Sequence, residues 1–246
     1  MNNPNDGMVK NIWSSMGKPF RNNLIVLSNI YNYNIKRKPN PFLEMKKLVE
    51  KENPVIIDGG ANNGGTITTL KQYFPNSTIF AFEPLRNLGL EKNTKNFSNV
   101  YIEHLALGDE NKIVEFNETN YPDTSSIFVH RNANNLEHLR VKDRIKVDMV
   151  TLDNWAEKQH VPEIDIIKLD LQGYELNALR GAKKLLSSCV KLVYSECSLK
   201  EFYINQPLFL DVEKFMTTIG FEVHKIYSED NKEDIGFIDV LFKKRV

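Results

Sequence analysis

From Pro54 onward, short apolar runs alternate with stretches whose apolar residues recur at helical spacing. Val55–Ile57 is a β-branched run ending at Asp58-Gly59-Gly60. Thr66–Tyr73 predicts a helix that stops near Pro75. Thr78–Phe82 is a second strand-like run ending at Glu83, and Leu85–Phe97 predicts a second helix. Val100–Leu105, Ile164–Leu169 and Leu192–Tyr194 continue the strand series. Between and after them, Glu175–Leu186 and Phe209–Ile219 read as helices. Phe221–Ile226 and Phe237–Phe242 close the series as late strands. Strands that are apolar throughout and alternate with helices imply crossover units and a mainly parallel sheet covered on both faces, an α/β fold.

Two regions depart from this rhythm. Residues 1–50 are rich in Asn, with Pro4, Pro19, Pro39 and Pro41 and the basic run Lys36-Arg37-Lys38. Their apolar patches, Leu24–Leu27 and Phe42–Val49, suit helices, so 1–50 is expected to be an N-terminal extension, a docking segment or a helical lid, on a domain of residues 51–246. Residues 106–162 hold strand-like Lys112–Phe116, Ser126–Val129 and Arg144–Val150 among polar loops. That stretch reads as an insertion at one end of the sheet, where loops on a rigid scaffold carry specificity.

Composition narrows the classes. The chain has 246 residues, 41% apolar and 26% charged, the profile of a globular domain with a full core. Lys plus Arg and Asp plus Glu both number 32, so no overall positive field draws the chain to duplex nucleic acid. Two cysteines, Cys189 and Cys197, provide neither a disulfide framework nor a zinc cluster. No run reaches the roughly 18 apolar residues of a membrane span, and the N-terminus lacks the pattern of a secretion signal. A cytoplasmic location is the expectation.

The chemistry sits at strand ends. Four strand candidates run into an acid: Asp58, Glu83, Asp170 and Glu196. In open α/β sheets the carboxyl ends of the strands form the ligand crevice, so these acids are expected around one site. The first is followed by a glycine-rich loop, Gly59-Gly60-Ala61-Asn62-Asn63-Gly64-Gly65. Unlike the G-x-G-x-x-G turn of nicotinamide sites, this loop opens on an acid, which suits a ligand with a positive head group and repels a pyrophosphate. Glu83, at the end of the next strand, is spaced to accept hydrogen bonds from a ribose diol.

These residues carry a resemblance. Asp58–Gly64 (DGGANNG), Phe82-Glu83-Pro84, Ala106-Leu107-Gly108-Asp109, Thr151-Leu152-Asp153 and Ile167–Ala182 (IKLDLQGYELNALRGA) resemble the FkbM-type S-adenosylmethionine-dependent methyltransferases, over roughly residues 54–225. The resemblance implies a Rossmann-like class I methyltransferase fold, a seven-stranded, mainly parallel sheet whose last strand runs antiparallel beside the sixth. It also implies O-methylation, often of sugars or secondary-metabolite hydroxyls. Carried over, Asp58 with Gly60, Ala61, Asn62 and Gly64 would hold the methionine moiety, the ammonium near Asp58. Glu83 would bind the ribose, and Ala106 to Asp109 would border the adenine. Two positions depart from the family pattern: Gly59 stands where Val or Ile is usual, and Gln172 where many members have Glu.

An activated sulfonium methyl needs mainly positioning, whereas a sugar hydroxyl needs a base or a metal ion. Lys168 and Asp170, two apart on one strand, share a face. Asp170 is the expected base or metal ligand, with Lys168 as its partner. A divalent ion (Mg or Mn) held by Asp170 and Glu196 is a further expectation, although hard cations leave no spacing signature. His104 and His130 are alternative bases, and Ser125-Ser126 an alternative contact. The expected partner is a small-molecule or glycan acceptor. A ribose 2′-O-methyltransferase acting on RNA and a non-catalytic nucleoside-binding module stay open as alternatives.

Overall fold

The computed structural model describes residues 40–227 and 236–245. The apolar patch Leu24–Leu27 and the rest of residues 1–39 lie outside the described residues. Helix α1 (Pro41–Val49) starts on Asn40, whose side chain accepts from Phe42 N at 2.9 Å and Leu43 N at 3.2 Å. This is an N-cap followed by proline at the first helical position, where its missing N–H costs nothing. Met45 and Val49, one turn apart, are its buried face.

Seven strands form the main sheet: β1 (Val55–Gly59), β2 (Thr78–Phe82), β3 (Val100–Glu103), β7 (Ile166–Leu169), β8 (Leu192–Ser198), β9 (Phe221–Tyr227) and β10 (Phe237–Lys244). Their spatial order is β3-β2-β1-β7-β8-β10-β9. The pairs among β3, β2, β1, β7 and β8 are parallel, and β10 is antiparallel to both β8 and β9. This is the sheet the resemblance implies, with the last strand between the fifth and sixth.

Successive side chains alternate between the faces. Ile79 and Ala81 of β2 join the core that holds Met45 and Val49 of α1 and Ile67 and Leu70 of α2 (Gly65–Tyr73). Phe80 and Phe82 turn the other way and pack edge-on against Trp155 of α4 (Leu152–Lys158), with ring centroids 4.9 Å apart in both pairs. Trp155 is a core residue, 3% exposed.

The helix expected over Leu85–Phe97 is shorter, α3 (Leu90–Thr94). The helix expected over Glu175–Leu186 is two, α5 (Glu175–Arg180) and α6 (Lys183–Ser188). The break falls at Gly181, where a Cβ would stand 2.0 Å from the Gly108 carbonyl oxygen. Close backbone approach, not helix propensity, sets that boundary. α7 (Phe209–Thr218) follows β8.

Residues 106–150 build a second, three-stranded sheet of β4 (Ala106–Leu107), β6 (Val141–Val150) and β5 (Lys112–Thr119), in that spatial order. The strand expected at Ser126–Val129 does not form: Ser126 makes only an isolated bridge to Asn117. Phe116, Val147 and Met149 of this sheet pack with Leu85, Ala106 and Tyr174.

Candidate active site

β1 lies between β2, which precedes the first crossover reversal, and β7, which follows it. Such a switch point leaves a crevice beyond the strand ends. The chain leaves β1 through Gly60-Ala61-Asn62-Asn63-Gly64 and enters α2. Gly60 N and Ala61 N both donate to the Phe82 carbonyl oxygen, at 2.9 and 3.0 Å. Gly60 has φ +74°, and a Cβ there would meet the Asp170 carbonyl oxygen at 1.9 Å. Glycine is therefore required for the loop to rest against the end of β7. Gly59, the departure from the family pattern, faces Leu169 and Leu107, whose side chains a Cβ would crowd at 2.8 and 3.0 Å.

Asp58 is fully buried, and the β1–β7 register sets it beside Lys168. Lys168 Nζ lies 3.0 Å from Asp58 Oδ1 and donates to the Gly60 carbonyl oxygen at 3.2 Å. Burial opposes the Lys168 ammonium, but the charges of Asp58 and Asp170 outweigh it and raise its pKa. Lys168 thus ties the glycine loop to β7. Its ion-pair partner is Asp58 rather than the expected Asp170.

Glu83, at the end of β2, is 6% exposed. Its Oε2 accepts from Asn62 N at 3.0 Å and its Oε1 from Leu85 N at 2.9 Å. Burial raises its pKa, and those two N–H groups partly offset the rise. A carboxylate has about four lone-pair sites, so about two remain for a ligand. His104 joins its Nδ1 to the Glu83 carbonyl oxygen (3.0 Å) and its Nε2 to Glu91 (2.8 Å), a tie to α3 that leaves neither nitrogen for a substrate. His130 receives Asn132 N on Nδ1 and packs edge-on to Tyr203.

Past β7 the chain turns through Gln172 (φ 52°) and Gly173 (φ 99°). Glu175 Oε1 holds this turn by accepting from Leu171 N at 2.7 Å and Gly173 N at 3.1 Å. Burial pushes the Glu175 carboxyl up to about 7. Gln172 makes three such ties. Its Nε2 donates to Asp170 Oδ1 (3.0 Å), its Oε1 accepts from Tyr203 OH (2.7 Å), and its carbonyl oxygen accepts from Ser126 Oγ (2.8 Å). Asp170, Glu175 and Glu196 each bring one carboxylate oxygen within 4.8 Å of the others.

A cavity of about 340 Å³ opens over these groups. Gly60, Ala61, Asn62, Glu83, Ala106, Lys168 and Asp170 line it. Asp58, Gly64, Asp109 and Glu196 do not. Gly64 instead starts α2 at φ +87°, Asp109 receives the Asn177 amide at 3.3 Å, and Glu196 stands on β8 opposite Asp239 of β10. The expectation set the methionine ammonium beside Asp58; in the structure Asp58 Oδ1 lies 3.0 Å from Lys168 Nζ, and the residue does not line the cavity. Asp123 and Ser125 of the insertion line the cavity too. Sequence reading passed over Asp123, Glu175 and Tyr203. Only Glu175 carried a signal, its place in the LDLQGYE run.

A description of the FkbM methyltransferase domain matches residues 58–223, two thirds of the chain. The chain belongs to the FkbM methyltransferase family. It is 28% identical over 184 residues to the 2-O-methyltransferase NoeI of Sinorhizobium fredii, a match covering 69% of this chain and 75% of that protein. It is 26% identical over 152 residues to Methyltransferase 1 of Beauveria bassiana, covering 53% and 59%. The crystal structure of methyltransferase FkbM from Methylobacillus flagellatus superimposes with a TM-score of 0.51 at 16% identity. That superposition covers 84% of this chain and 48% of that one, so the chain spans about half of the solved FkbM protein. FkbM enzymes are methyltransferases that draw on S-adenosylmethionine, and the cavity suits that compound. The spare lone pairs of Glu83 match two vicinal hydroxyls, Leu105, Ala106 and Leu107 offer an apolar wall to a flat ring, and the acids suit a cation.

A divalent ion fits less well. Gln172 places an amide N–H on Asp170 Oδ1, and two backbone N–H groups point at Glu175 Oε1. Two N–H groups occupy Glu175 Oε1 and one occupies part of Asp170 Oδ1, which leaves these two oxygens few lone pairs for a cation that takes several oxygen ligands. Burial, with the negative charge of Asp170 and Glu175 added, pushes the Glu196 carboxyl well up.

Proposed function

We propose that this chain is an O-methyltransferase that methylates a hydroxyl of a carbohydrate, or of a glycan or secondary-metabolite precursor, in a reducing, cytoplasmic setting. The two cysteines are free, which suits that setting. One observation carries the acceptor class: the sign of the cavity. Glu83, Asp123 and Asp170 line it, and the one cation that lines it among the described residues, Lys168, is already paired with Asp58. A phosphate-bearing acceptor such as RNA would meet uncompensated carboxylates at close range, where like charges repel by several kcal/mol. A neutral polyol meets hydrogen-bond acceptors instead. The 2-O-methyltransferase NoeI supports oxygen as the accepting atom.

When bound, S-adenosylmethionine supplies a methyl group already activated by its positive sulfur. Glu83 holds the ribose end, and the glycine loop, fastened by Lys168, receives the amino-acid end. Asp170 accepts the proton of the acceptor hydroxyl. Gln172 keeps Asp170 turned to the cavity, because its amide donates to Asp170 while Tyr203 OH holds the amide oxygen and Ser126 Oγ holds the backbone carbonyl. Orientation of this kind accounts for most of the rate enhancement when the methyl donor is already reactive.

Labelled S-adenosylmethionine, offered with a panel of neutral methyl glycosides, a sugar phosphate and a short RNA, tests the reading. Label is expected in a neutral glycoside, undiminished by EDTA. Transfer to RNA alone would reverse the assignment, and loss with EDTA would restore the metal.

A further inference from the structure

Under the proposed reading, the cofactor brings an α-ammonium into the cavity, and a cation leaving water needs an anionic partner. Asp58 does not supply it, being fully buried against Lys168 and absent from the wall. The Gly60 carbonyl oxygen already accepts from Lys168. Glu83 is at the ribose end with both oxygens on backbone N–H groups. Asp170 carries the Gln172 amide on one oxygen and, in the proposed reading, faces the acceptor hydroxyl.

Asp123 remains. It lies in the 3-10 turn Pro122–Thr124 of the insertion, lines the cavity, and is solvent-accessible. Its Oδ1 accepts from Asn62 Nδ2 at 2.6 Å, and Asn62 belongs to the glycine loop, at φ 48°. The left-handed backbone turns the Asn62 amide out of the loop and onto the insertion. The amide thus pins a carboxylate above the loop that receives the amino-acid end, with only one of its oxygens engaged.

We propose that Asp123 is the anionic partner of the cofactor's α-ammonium, and that Asn62 holds it there. The insertion then completes the cofactor site as well as the acceptor site, and Asp58 acts one step removed, by fixing Lys168.

Asp123→Asn tests this, because asparagine keeps an oxygen for Asn62 Nδ2 and removes only the charge. Two ligands are compared by calorimetry: S-adenosylhomocysteine, which has the ammonium, and 5′-methylthioadenosine, which lacks the whole amino-acid end. The substitution should weaken S-adenosylhomocysteine by about tenfold or more, as for a lost charge-assisted hydrogen bond, and leave methylthioadenosine within about twofold. An unchanged S-adenosylhomocysteine affinity, or equal losses for both ligands with the melting temperature preserved, would overturn it. If the wild-type protein bound neither nucleoside, the cofactor reading itself would fall and take this inference with it. If it bound methylthioadenosine and S-adenosylhomocysteine equally well, the inference alone would fail.

Discussion

Glu175 shows how one side chain can set a turn and record pH at the same time. Its Oε1 gathers the N–H groups of Leu171 and Gly173, so the geometry beside Asp170 depends on it. Burial raises its pKa from 4.5 to about 7, so the folded chain holds this proton more tightly than the unfolded one. The stability it contributes is complete below about pH 4.5 and is lost as pH rises through about 7. Glu175→Gln keeps an oxygen for both N–H groups and has no proton to lose. Its melting temperature relative to wild type should therefore climb from about pH 5 to about pH 8, by the equivalent of about 3 kcal/mol at most. Parallel melting curves would show that Glu175 ionises as an ordinary exposed carboxylate. Glu83 and Asp170 were legible in the sequence as acids that end strands. The Asp58–Lys168 pair was not, because it depends on which strand lies beside β1 and in what register. Asp123 was hidden for a simpler reason: a polar residue in a polar loop has no pattern around it until the fold brings Asn62 to it.

Among the elements, each parallel strand was read in place and Thr78–Phe82 to the residue, since such runs are apolar on both faces and end in a turn, while β8 runs four residues past the expected Leu192–Tyr194. Helix boundaries were read less well where tertiary contacts set them. The break between α5 and α6 needs the carbonyl of Gly108, more than 70 residues earlier in the chain. The Thr-Leu-Asp motif proves to be architectural. Thr151 Oγ1 accepts from Asn154 N at 3.2 Å and caps α4, while Asp153 accepts from Lys184 N (2.9 Å) and Leu185 N (3.0 Å) and caps α6. One carboxylate on one helix thus satisfies the first free N–H groups of the next. Asp153→Ala should cost about 1 kcal/mol in urea denaturation and leave S-adenosylhomocysteine affinity unchanged. A loss of affinity in step with stability would instead connect this corner to the cavity.

At the scale of the whole molecule, the fold and the family were recognisable from ordered short motifs, and the acceptor was not. Part of the cavity wall, Asp123 and Ser125, comes from the insertion, whose strands form a separate small sheet and whose loops follow no periodicity. Among the described residues no helix is long and apolar enough to cross a membrane. Saturating S-adenosylhomocysteine should raise the melting temperature by several degrees, since a ligand at about 100 times its Kd adds about 2.7 kcal/mol. No shift at saturation would contradict the cofactor site.

The position of β10 has a consequence for synthesis. Among the described residues β9 pairs only with β10, and β8 meets its outer neighbour only through β10. Until residues 237–244 leave the ribosome, β8 presents an open edge and β9 has no place to dock. The nascent chain therefore carries an unpaired strand border through the late part of translation, a border that invites pairing with other chains. A ribosome stalled before Phe237 should yield a chain that aggregates or recruits chaperones even though the strands framing the cavity are already present.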